Sequence, residues 1–124
     1  MPHIRIDNDL PGIAGLLRQR PDTGALINAM ADALLRGPMS ITPGERELIA
    51  AYTSERNETP FCAGSHSAFA AAQLEGGKDL VQAVLADADT APVTPLMRSL
   101  IRIAAEVMGP VKVLADETVA AARA

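Results

Sequence analysis

The chain of 124 residues has no tryptophan, one tyrosine (Tyr52) and two phenylalanines (Phe61 and Phe69). With so few aromatics in an alanine-rich sequence, a core built on large rings is excluded and closely packed helices are expected. There is one cysteine, Cys62, so no disulfide can close within the chain. A lone thiol suits a reducing compartment. Basic residues are outnumbered, 11 against 15, and no Lys/Arg cluster is interleaved with aromatics. That balance argues against nucleic acid and against an anionic membrane surface as partners. No apolar run approaches the roughly 20 residues that cross a bilayer. The opening MPHIRIDNDLPG has neither the basic nor the apolar region of a signal peptide. The expected location is the cytoplasm.

Helical punctuation is what the sequence does contain. Residues 1–11 are crowded with turn formers and read as an N-terminal arm, placed to lie on a partner subunit. Residues 12–124 are too few to support two separate cores, so they are expected to form one all-α domain. A first helix is expected from Gly12 to about Arg20. A second, with the apolar stripe Leu26, Ile27, Met30, Leu34 and Leu35, runs to Arg36 before Gly37 and Pro38. Thr42, Pro43 and Glu45 spell a capping box for a helix over about 43–56. Pro60 opens another, which Gly76 and Gly77 are expected to close. A short helix follows over about 78–88, and Thr94 caps one that Gly109 and Pro110 end. VKVLADETVAAARA supplies a last helix, and its abrupt finish suggests either docking on a neighbour or a chain cut short. No strand pattern and no repeat competes with this reading.

Cys62 and His66 fall at the start of the fourth helix. Four residues apart, they share a face. The first turn also offers unpaired N–H groups and the positive end of the helix dipole, which favour an anion such as a thiolate. These two residues alone are better explained by packing than by function, because cysteine is among the most buried residue types.

Glu47, in the preceding helix, alters that balance. GERELIAAYTSERN followed by TPFCAGSH resembles the alkylhydroperoxidase D-like and carboxymuconolactone decarboxylase superfamily. In that all-helical pattern a glutamate lies fifteen residues before the second cysteine of a CxxC motif and a histidine four residues after it. Glu47, Cys62 and His66 occupy those places, with Phe61 matching the aromatic before the cysteine. The resemblance extends from about residue 24 to the end, less distinctively after Pro95. It implies trimers or hexamers with sites near subunit interfaces, a homo-oligomeric state that uncovered apolar stripes also favour.

The chain departs from the pattern at Thr59, which stands where the first cysteine belongs. The internal dithiol cycle implied by the resemblance cannot operate with one sulfur. A threonine hydroxyl can cap the helix or bond to a thiolate, but it cannot resolve a sulfenic acid. The expected activity is therefore reduction of a small-molecule hydroperoxide, a peroxidase or antioxidant oxidoreductase chemistry. Cys62, His66 and Glu47 are its catalytic residues, and an external thiol or redox protein is the reductant. Two alternatives stand beside it: a decarboxylase-like proton-transfer enzyme acting on a small organic acid or lactone, and a noncatalytic member of the family.

No cofactor motif is present, and Cys62, His66 and Glu47 lack the fourth ligand and spacing of a usual zinc site. His3 is assigned no role. Tyr52 and Phe69 are expected in the core or a small pocket. Glu45, Arg46, Glu55, Arg56 and Glu58 are expected on a solvated face, and Ser65 and Ser67 in local hydrogen bonds.

Overall fold

The structure is a computed structural model that describes residues 3–110 and 113–124. Seven helices and no strand occur among the described residues: α1 (Gly12–Gln19), α2 (Pro21–Arg36), α3 (Pro43–Arg56), α4 (Pro60–Gln73), α5 (Gly77–Ala86), α6 (Pro95–Met108) and α7 (Asp116–Arg123). The fold is all-α, as expected. Val111 and Lys112, the start of the segment read as the last helix, lie outside the described residues. The chain forms two compact units, residues 1–40 and 41–124.

In the first unit the segment before α1 is tied to that helix through polar side chains. Asn8 Nδ2 donates to Gly15 O (3.1 Å), Asn8 Oδ1 accepts from Leu10 N–H (3.1 Å), and Gln19 Oε1 accepts from Asp7 N–H (2.9 Å). Pro21 begins α2 directly after Arg20, and the corner is so tight that a Cβ at Gly24 would collide with the Leu17 carbonyl. Much of the apolar stripe of α2 faces solvent: Leu26, Ile27, Met30 and Leu34 are all exposed, Leu26 to 72%.

The second unit holds the main core. Thr42 caps α3 through the expected capping box: its Oγ1 accepts from Glu45 N–H (3.2 Å), and Glu45 Oε2 accepts from Thr42 N–H (2.7 Å). The helix ends in a Schellman motif, in which Thr59 N–H donates to Ser54 O and Glu58 N–H to Glu55 O. Glu58 takes the left-handed position with φ 51°, where glycine is usual. This turn reverses the chain, so α4 runs antiparallel to α3, and the start of α3 meets the end of α4. A Cβ at Gly44 would come within 3.0–3.2 Å of Gln73 and Leu74 side-chain atoms.

Leu48 and Tyr52 of α3, Ala70 of α4, Val81 and Val84 of α5, Ala91, and Met97 and Ile101 of α6 form the buried cluster. Helix α4 stops at Gln73, before the two glycines, because Leu74 is already extended (ψ 139°). Gly77, at φ 52°, instead opens α5. Thr94 Oγ1 caps α6 by accepting from Met97 N–H (3.2 Å). α7 is held to α6 by Glu106, whose carboxylate accepts from Ala115 N–H (2.8 Å) and from the Thr118 hydroxyl (2.5 Å). No described helix is long and apolar enough to cross a membrane.

Candidate functional site

Two rigid starts position the site. The capping box and Pro43 fix the first turn of α3, which places Glu47 in its second turn on the inward face, 2% exposed. Pro60 fixes the first turn of α4, which carries Cys62, with His66 one turn further on. The antiparallel packing of the two helices brings His66 Nδ1 to 2.6 Å from Glu47 Oε2. A buried carboxylate is costly without a partner. Here its partner is the imidazole, whose side chain keeps 25% of its exposure while that of Glu47 keeps 3%. The contact is direct and needs no bridging water.

With Glu47 as a carboxylate, which only accepts, Nδ1 is the donor in this contact. In the neutral ring with that tautomer, Nε2 would be an acceptor. Side chains on a helix lean toward its N-terminus, over the preceding turn. For His66 that is the turn of Cys62. The thiol is half-buried and uncrosslinked, and among the described residues it makes no hydrogen bond to His66 or to any other group.

Thr59 does neither of the things its hydroxyl was expected to offer. It sits at the N-cap position but caps nothing, and its Oγ1 donates instead to Asn57 O at 3.1 Å. With φ −110° and ψ 79°, its backbone is not in the extended conformation that aims a capping side chain at the first turn. The N-cap residue of α4 consequently supplies no side-chain acceptor to the first-turn N–H groups.

Other expectations divide. Tyr52 is buried in the core, but Phe69 is 49% exposed and lies outside it. It lies seven residues after Cys62, two turns on along the same face, and Phe61 is exposed as well. Arg46, expected in solvent, is 7% exposed, with Nε donating to Thr42 O (3.4 Å) across the first turn of α3. Among the described residues no group of three or more His, Cys, Asp or Glu side chains could hold a metal ion.

An all-helical fold in which a buried glutamate is bonded to a histidine one turn after a cysteine defines an alkylhydroperoxidase D-like class of protein. The chain belongs to the Carboxymuconolactone decarboxylase family, which its residues 21–106 match. Among solved structures it is similar to the alkylhydroperoxidase AhpD core of an uncharacterized peroxidase-related protein from Ralstonia eutropha, with a TM-score of 0.80 and 26% identity. The likeness covers 92% of this chain and 60% of that one. No protein of curated function matches the chain.

Proposed function

We propose that the protein reduces hydroperoxides through Cys62, with an external thiol as reductant. The observation that carries this reading is the 2.6 Å contact between Glu47 and His66, which leaves His66 Nε2 as a base leaning over the Cys62 turn. His66 takes the proton from the Cys62 sulfur, and the imidazolium is stabilised by the Glu47 carboxylate. The thiolate attacks the terminal oxygen of the hydroperoxide. An S–O bond forms, the O–O bond breaks, and the departing alkoxide takes the proton from His66 Nε2. Sulfur is oxidised by two electrons to a sulfenic acid as the peroxide is reduced to an alcohol. One external thiol then displaces water to give a mixed disulfide, and a second releases Cys62 as the thiol. The likeness to a peroxidase-related protein supports the same chemistry.

The external reductant follows from Thr59, which leaves no second cysteine thiol in the chain. Exposed apolar side chains on α1 and α2, among them Leu16, Leu26 and Met30, support a homo-oligomer in which these faces are covered. Light scattering after size exclusion is expected to give a trimer or hexamer. A clean monomer counts against that assembly.

A second reading rests on the absence of any Cys62–His66 hydrogen bond among the described residues. The Glu47–His66 pair is complete without the thiol and suits proton transfer on a small organic acid or lactone, in keeping with the family's name. Cys62→Ser separates the two: thiol-dependent peroxide consumption is expected to disappear, whereas proton-transfer chemistry would persist.

A further inference from the structure

A cavity of about 240 Å³ opens between the C-terminal half of α3, the end of α5 and α6. None of its lining residues is Glu47, Cys62 or His66. It is lined by the apolar side chains of Leu85, Ile101 and Ala105 together with Tyr52, Arg56, Asp87, Asp89 and Arg102. The charges are not equally free. Asp87 accepts from the Thr90 hydroxyl (2.8 Å) and from Asp89 N–H (3.0 Å). Asp89 takes both Nε (2.9 Å) and Nη2 (2.8 Å) of Arg102. Both acids therefore already have partners within the chain, and so does Arg102.

Arg56 is different. Its guanidinium lies over the Tyr52 ring, 5.3 Å from the centroid, and Nε donates to Tyr52 Oη at 3.2 Å. Among the described residues it has no carboxylate partner. The stacking and the Nε bond fix the plane of the group and leave Nη1 and Nη2 as a donor edge. Because Tyr52 Oη uses a lone pair to accept from Arg56, its own hydrogen is available to a third group.

We infer that this cavity binds a small organic monocarboxylate, its carboxylate on Arg56 and Tyr52 and its alkyl part on Leu85, Ile101 and Ala105. Size limits the ligand, because the cavity is below the roughly 300–1,000 Å³ that takes drug-sized molecules. Charge limits it too. Asp87, Asp89 and the carbonyl end of α5 share the walls, so a monoanion is accommodated by one guanidinium where a dianion meets repulsion.

The test uses the whole chain and three probes of similar reach: butyrate, butylammonium and inorganic phosphate, titrated while the Arg56 Nε–H resonance is followed by NMR. Saturable binding of butyrate is expected, weakened roughly tenfold or more in Arg56→Ala and less in Tyr52→Phe. Arg56 is exposed, so the alanine variant is expected to fold; a matching thermal melt verifies it. Binding of butyrate is also expected to survive in Cys62→Ser, which separates this cavity from the thiol site. No saturable shift with butyrate, equal or tighter binding of phosphate or butylammonium, or unchanged affinity in Arg56→Ala would each overturn the inference.

Discussion

Glu47 Oε2 and His66 Nδ1 lie 2.6 Å apart across the α3–α4 interface, joining a residue that is almost wholly buried to one that reaches the surface. In the proposed mechanism this contact holds the His66 ring and selects its tautomer.

The tautomer makes Glu47→Gln informative. A glutamine amide can donate to Nδ1, which in the proposed mechanism moves the ring hydrogen to Nε2 and removes the base for Cys62. Peroxide turnover is expected to fall by about 10²-fold or more, with the fold retained. Steady-state kinetics alongside a thermal melt check both parts. Wild-type turnover in a folded Gln variant would remove Glu47 from the mechanism.

Thr59→Cys places a second sulfur three residues before Cys62, in the spacing of a CxxC motif. After oxidation by one equivalent of peroxide, this variant is expected to show no free thiol, because the new sulfur attacks the sulfenic acid and expels water. Thiol titration reads the result directly. A sulfenic acid that persists would show that the turn holds the two sulfurs apart, and two thiols remaining would show that Cys62 does not react with peroxide.

Glu58 occupies a left-handed position at the close of α3 (φ 51°). A residue with a Cβ is strained there by roughly 1–2 kcal/mol, and glycine is not, although glycine gives back part of the gain as chain entropy. Glu58→Gly is expected to stabilise the protein by about 0.5–1 kcal/mol in denaturant unfolding. A destabilised variant would mean that the Glu58 side chain has a structural role of its own.

Glu106 governs how the docking of α7 responds to acid. The Thr118 hydroxyl, then Ala115 N–H, hold its carboxyl below the ordinary glutamate value, and Arg102 acts in the same direction. Its folded value is lowered, so its contribution is present above the unfolded value near 4.5 and is lost as pH falls through the folded value. Glu106→Gln is expected to melt below wild type at pH 7, with the gap closing on acidification. Melting curves across that range test it, and a gap independent of pH would contradict it.

Features set by neighbours in the chain were legible in the sequence. Thr42, Pro43 and Glu45 announce a capping box, and Thr94 announces the start of α6, because a cap depends on residues only three apart. The site was legible at longer range only through the spacing of Glu47, Cys62 and His66, which matched a known helical pattern; nothing local in GERELIAAY says that Glu47 points inward.

What escaped was decided by packing. In an alanine-rich helix such as α4 either face can be buried, so Phe69 could not be assigned from periodicity, and it is exposed. Arg46 looked like a surface charge, yet its Nε reaches back to Thr42 O over the first turn. Thr59 had the right residue type and place for a cap, but its backbone angles turn the hydroxyl toward Asn57.

In the proposed mechanism His66, held by Glu47, activates Cys62 toward peroxide. Trapping with a dimedone-type reagent after peroxide treatment, followed by mass spectrometry of the intact chain, tests it most directly. One adduct on Cys62 is expected in the wild type, none in Cys62→Ser, and a rate of formation lower by about 10²-fold or more in His66→Ala. A thiol that gives no adduct, or one formed equally fast without His66, would contradict it.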